Sequence, residues 1–192
     1  MAIDNRIERA RARGLYTDYE LDVLWPKFLA EREKLLINKN KQNRHIIESK
    51  EFIYFDGRSK SEGKAGYSFF FPDFDIVDVL PELTGTGILE FENGLPQKET
   101  LFFPYKIGYG GRQTLVETNV LSIRYSSTGI HAFPVHPNIY KDTINRLKKK
   151  NRWARFTASC RSVLIGFPNN IQSFLRKVKI FLKKLKKGKN SL

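Results

Sequence analysis

Between residues 51 and 135, short aromatic and β-branched runs are cut at close intervals by glycine, proline and asparagine. That punctuation leaves little room for long helices and predicts short strands. The expected strands are Glu51–Asp56, Gly66–Phe71, Phe74–Leu80, Thr86–Glu92, Glu99–Ile107, Gln113–Ser126 and Thr128–Val135. Asp56-Gly57, Asn93-Gly94, Gly110-Gly111 and Thr128-Gly129 supply turn chemistry between them. Arg58–Lys64 (RSKSEGK) reads as a polar loop, and Gly108–Arg112 (GYGGR) as a hairpin turn. Six or seven short strands fit a compact antiparallel sheet, a small sandwich or a barrel. Phe69-Phe70-Phe71 and Phe102-Phe103 put aromatics on both sheet faces, so both are expected to be covered.

The flanks follow a different period. Ile3, Ile7 and Ala10 share one helical face that Gly14 can stop. Thr17-x-x-Glu20 is a capping-box pattern. Leu21, Leu24, Trp25, Phe28, Leu29, Leu35 and Leu36 then recur at helical spacing, with Pro26 set to kink the helix or start a second one. Asn38–Asn43 is expected to end that helical region. After Pro137, Ile139, Tyr140, Ile144 and Leu147 form a helical stripe, followed by a mixed segment from Trp153 to Phe167. The chain therefore reads as α+β: an N-terminal helical segment (1–50), a β-rich core (51–137) and a basic helical region (138–192). At 192 residues it is long enough for one domain with appendages.

Charge separates the same three regions. Residues 1–50 carry net +3, residues 51–140 net −4, and residues 141–192 net +15. A basic block of this density seeks a polyanion. Its cations are Lys148, Lys149, Lys150, Arg152, Arg155, Arg161, Arg176, Lys177, Lys179, Lys183, Lys184, Lys186 and Lys187. Opposite the last seven runs an apolar stripe: Ile171, Phe174, Leu175, Val178, Phe181, Leu182 and Leu185. Such a helix can lie in a bilayer interface, gaining about 1 kcal/mol per cation near an anionic surface. The same stripe can instead pack on the protein's own core while the lysines meet phosphates. Trp153 and Phe156 beside Arg155 suit either partner.

The expected role is a non-enzymatic adaptor docked on an anionic surface, the membrane interface being favoured for its use of the stripe. The alternative is a nucleic-acid-binding protein, including a virion or nucleoprotein component, and either could belong to a larger assembly. A third reading is a metal-dependent nuclease or lipid-acting enzyme using Asp73, Glu90 and Glu92. On the expected strands, Asp73 and Asp75 share one face, as do Glu90 and Glu92. Glu92 stands where an activating lysine would be needed. His131 and His136 could join a metal site if the fold brought Asp73 or Glu90 to them. No metal or other cofactor is called for by these patterns. Cys160 is the single cysteine, which excludes an internal disulfide and a thiolate zinc cluster. The first residues, MAIDNRIERARARG, lack an apolar signal region, and no run reaches membrane-spanning length; an intracellular, peripheral-membrane location is the expectation.

Overall fold

The computed structural model describes residues 5–111 and 113–164. It is an α+β protein with helices and two antiparallel sheets. Residues 1–151 form one compact unit and residues 152–192 another.

Helix α1 (Arg6–Ala12) buries Ala10 and stops before Gly14, whose φ is +62°. The Thr17–Glu20 capping box forms in both directions. Thr17 N–H donates to Glu20 Oε2 at 2.9 Å, and Glu20 N–H donates to Thr17 Oγ1 at 3.2 Å. Pro26 shapes the next helical stretch, because it has no N–H to continue an i→i−4 ladder. The chain makes a π-helical turn over Glu20–Leu24 and then α2 (Trp25–Glu31), with Pro26 in its first turn. The stretch Asn38–Asn43 does not end the helical region. Asn38 accepts Lys41 N–H at 3.0 Å and caps a short helix, α3 (Lys39–Asn43).

Two expected strands are helices. Glu51–Asp56 lies in α4 (Lys50–Ser61), capped by Ser49, whose hydroxyl accepts Phe52 N–H at 2.9 Å. Asp56-Gly57 is therefore no turn, and most of the expected 58–64 loop is helical. Phe74–Leu80 is replaced by α5 (Ile76–Leu83), with Asp75 accepting from Val77 and Asp78 N–H. Ile76 and Leu80, one helical turn apart, both reach the core. In each case a side-chain cap outweighed the β-branched and aromatic composition.

The strands are β1 (Phe69–Phe70), β2 (Ile88–Glu92), β3 (Leu95–Phe102), β4 (Gly108–Gly110), β5 (Val116–Thr118), β6 (Val120–Arg124) and β7 (His131–Pro134). Gly108–Gly110 is thus a strand rather than a turn. One sheet has the order β1-β4-β5, the other β2-β3-β6-β7. Asn93 (φ +52°) and Gly94 (φ +77°) make the two-residue turn between β2 and β3, as their sequence demanded. One side of the four-stranded sheet packs into the main core. Trp25 there meets Tyr16, Phe28 and Phe91 edge-on, and Phe28 meets Tyr125 at 5.5 Å. The final helix, α6 (Asn138–Leu164), buries Leu147 and packs Tyr140 and Ile144 on that core. It also takes in Trp153–Leu164, the part of the mixed segment that is described.

Candidate active site on the four-stranded sheet

Strand pairing builds the site. Glu90 pairs with Lys98, Lys98 with Arg124, and Arg124 with His131. Residues directly opposite on antiparallel strands point to the same side of the sheet. One row therefore carries an acid, two cations and an imidazole across β2, β3, β6 and β7. At roughly 4.8 Å between strands, it spans about 14 Å. A bulge decides its membership. Glu92 pairs with Leu95 and Phe91 with Pro96, so an unbroken ladder would set Gln97 opposite Glu90; the register shift between Glu90 and Phe91 puts Lys98 there instead.

The two ends of the row differ. At the β2 end, Glu90 Oε1 lies 3.4 Å from Lys98 Nζ, and its Oε2 lies 2.5 Å from a terminal nitrogen of Arg146 on α6. Burial pulls the Lys98 ammonium below its ordinary pKa, and Arg146 and Arg124 add to this while Glu90 opposes it. At the β7 end, Arg124 is exposed and His131 half-buried. His131 Nδ1 is itself buried and has no hydrogen-bond partner among the described residues. Burial, with Lys41, Arg124 and Arg44 nearby, lowers the His131 pKa to about 4. The imidazole is neutral at neutral pH and surrounded by positive charge.

Helix α3 brings those further cations. The Gln42 side chain donates to Ala132 C=O at 3.0 Å and accepts from Ala132 N–H at 2.8 Å. It satisfies the outer edge of β7 as another strand would, and so fixes Lys41 and Arg44 beside the row. His45 follows α3. Its Nδ1 lies 2.7 Å from the Ser68 carbonyl, which can only accept, so Nδ1 carries the proton. Its ring stacks on Tyr67 at 4.9 Å and Phe133 at 5.1 Å, with His131 at 6.5 Å. Burial lowers the His45 pKa to about 3. Arg44 sits 4.1 Å over the Phe55 ring.

This arrangement suits a phosphodiester. Lys98 and Arg124 can hold an anionic phosphate at the middle of the row, with a carboxylate on one side and an imidazole on the other.

The residues singled out from sequence fare unevenly. Glu90 and His131 do come into one row. Asp73 is exposed in the turn before α5, Asp75 caps that helix, and Glu92 is exposed at the hairpin. The strand face that Asp73 and Asp75 were expected to share does not exist. No group of three or more His, Cys, Asp or Glu is placed to hold a metal ion among the described residues. His136 Nδ1 accepts Asn138 N–H at 3.3 Å. Lys148, Lys149, Lys150 and Arg152 are exposed on α6, and Lys150 pairs with Glu20 at 3.0 Å. Arg155 and Arg161 fall on the same helix. Arg176–Lys187 and the stripe Ile171–Leu185 lie outside the described residues. Lys98 and Arg124 escaped sequence reasoning because nothing local marks them; only the strand register does.

A family model for bacterial toxin 50 matches residues 37–134, just over half of the 192-residue chain. The chain belongs to the bacterial toxin 50 family. No curated protein and no solved structure matches it. The toxin 50 span runs from the residue before the α3 cap to the last residue of β7. It holds all of Lys41, His45, Glu90, Lys98, Arg124 and His131, and it leaves α6 outside.

Proposed function

We propose that the chain is a toxin that cleaves RNA at the Glu90–Lys98–Arg124–His131 row. The observation that carries this reading is the row itself: an acid and an imidazole flanking two cations, all inside the family span. In-line displacement at phosphorus needs a proton acceptor on the attacking side and a donor on the leaving side. Glu90 takes the proton of the ribose 2′-hydroxyl, whose oxygen bonds to phosphorus. His131 gives a proton to the departing 5′-oxygen, and a 2′,3′-cyclic phosphate remains. Burial, and after it the nearby cations, hold the His131 pKa down; an incoming phosphate offsets the cations' share and so shifts the imidazole toward its protonated form. Lys98 and Arg124 stabilise the charge gathering on the non-bridging oxygens. An internal 2′-hydroxyl can be activated by such an acid–base pair alone, which favours RNA over DNA.

Of the two anionic partners expected of the basic region, nucleic acid is the one that fits this row as well. Lys148–Arg152 and the later lysines would then add salt-dependent phosphate contacts.

The test is incubation of the full chain with RNA in the presence of a chelator. Fragments ending in 2′,3′-cyclic phosphate are expected. His131→Ala should lower kcat by about 10²–10⁴ with the thermal transition unchanged. Intact RNA after treatment with the parent, or equal cleavage by His131→Ala, would overturn the reading.

A further inference from the structure

Past His131, on the outer edge of β7, lies α3. The two hydrogen bonds between Gln42 and Ala132, the neighbour of His131, hold the helix there. Lys41 and Arg44 flank Gln42 and, three residues apart, share a helical face. Arg44 is fixed further: its guanidinium lies 4.1 Å over the Phe55 ring, and Nη2 donates to Asn40 Oδ1 at 3.2 Å. Arg124, across from His131 on β6, is exposed, while Lys41, Arg44 and His131 are half-buried, so all four keep surface open to a ligand. Helix α6 meets the row at its opposite end, where Arg146 pairs with Glu90.

These cations lack counter-charges. None of Lys41, Arg44 and Arg124 forms an ion pair with a described residue. The acids of α4, which packs against α3, are engaged elsewhere. Glu51 accepts from the Asn43 side chain at 3.4 Å, and Asp56 pairs with Lys60 at 2.7 Å and accepts Tyr67 N–H at 2.8 Å. At the β2 end the arrangement is the opposite, Lys98 and Arg146 both meeting Glu90. Three like charges gathered around a neutral imidazole repel one another, and a bound anion turns that repulsion into attraction. A phosphodiester carries a single negative charge. Lys98 and Arg124 already face it at the middle of the row, which leaves Lys41 and Arg44 for a second.

The reaction fixes which phosphate that is. Glu90 stands on the side of the attacking 2′-oxygen and His131 on that of the departing 5′-oxygen, so the order β2-β3-β6-β7 follows the RNA toward its 3′ end. Helix α3 comes next in that order, separated from Arg124 only by β7, at roughly 4.8 Å per strand. We infer that Lys41 and Arg44 form a second phosphate subsite, which holds the phosphodiester next to the scissile one on its 3′ side. The inference rests on the RNA-cleaving reading and adds substrate length and polarity to it: the preferred RNA extends past the leaving nucleoside.

The test uses the full chain and short oligonucleotides with a single ribose, so that one bond alone can be cleaved, each made with all four bases in turn. The dimer, ribose then deoxyribose, is compared with trimers extended by one deoxynucleotide at the 3′ or the 5′ end. The 3′ extension should raise kcat/KM about tenfold, as expected of one charge-assisted phosphate contact, and the 5′ extension should change it by less than about twofold. A neutral methylphosphonate in place of the added 3′ phosphate should cancel the gain, and so should Lys41→Gln combined with Arg44→Gln. Lys27→Gln, which removes a cation beside Phe28 and Phe91 on the core side of the sheet, should keep it. If the double variant loses its thermal transition, Lys41→Gln alone is read, and the gain should fall about threefold. An equal gain from both extensions, or a gain that survives the methylphosphonate or the Lys41 change, would overturn the subsite. All-deoxy trimers, which bind without being cleaved, separate it from the catalytic reading. Binding weakened about tenfold by a methylphosphonate at the 3′ linkage in the parent, but not in the variant, would retain the subsite even if the parent left RNA intact. Cleavage without any gain from the 3′ extension would keep the catalytic reading and refute the subsite.

Discussion

Two neighbouring rows of the four-stranded sheet, one residue apart along each strand, have opposite fates. Leu89, Glu99, Ile123 and Ala132 point into the core and are all 0% exposed. Glu90, Lys98, Arg124 and His131 point to the other side and open toward solvent at the β7 end. Each row holds one glutamate. Glu99 is met by uncharged donors: Gly85 N–H at 2.9 Å, Gly87 N–H at 2.5 Å and the Tyr125 hydroxyl at 2.5 Å. Burial still pushes its pKa up. Glu90 is met by Lys98 and Arg146. A buried, perturbed acid is thus no sign of chemistry by itself. Glu99 ties the Gly85–Gly87 loop to the sheet, whereas Glu90, itself largely buried, begins a charged row that reaches the surface at the exposed Arg124.

The contrast can be broken most sharply at the two acids. Glu90→Gln should lower kcat for RNA cleavage by about 10²–10⁴ and, because it leaves the buried Lys98 without its counter-charge, cost on the order of 1 kcal/mol of stability, less than the change at Glu99. Glu99→Ala should act chiefly on stability. It strands three donors, costs on the order of 3 kcal/mol of stability by chemical denaturation, and leaves kcat near the parent's under folding conditions. A loss of activity without a loss of stability in Glu99→Ala would mean the rows are misassigned.

The next effect lies where His45 backs the charged row. Its pKa is lowered to about 3 by burial, against about 6.5 in an unfolded chain. A depressed histidine favours folding above the unfolded pKa, and that stability is lost as pH falls toward the folded value. Between pH 7 and pH 4.5, His45 alone should remove roughly 2–3 kcal/mol. His131, lowered to about 4, acts in the same direction. His45→Asn retains a donor for the Ser68 carbonyl but cannot titrate. Denaturation at both pH values should show the acid loss shrinking by the His45 share; an unchanged loss would place the titration elsewhere.

The smallest effect concerns the hairpin from which both rows are counted. Gly94 has φ +77° and room beside it, its would-be Cβ lying 3.9 Å from Leu24 Cδ2. Gly94→Ala should therefore cost only about 1 kcal/mol, from backbone strain rather than collision. Cleavage should persist, since strand pairing beyond the turn holds the register. A collapse of activity in this variant would show that the turn itself sets which residues share the row.

The α+β class, the capping box at Thr17, the break at Pro26 and the Asn93-Gly94 turn were legible because each is set by neighbours in the chain. A cap, a missing N–H or a positive φ acts within a few residues. The same local rules were available at Ser49 and Asp75, but the aromatic and β-branched runs after them read as strands. What tipped those segments to helix was partly distant: Ile76 and Leu80 reach one core only when a helical turn separates them. The charged row is further from the sequence still. Glu90, Lys98, Arg124 and His131 carry no shared motif, and a one-residue bulge decides that Lys98 rather than Gln97 faces Glu90. Strand register is a property of the paired sheet, fixed by which side is buried, and a single-residue slip would turn the site inward. The sequence therefore determined the elements near its caps and turns, while tertiary pairing alone decided which charges meet.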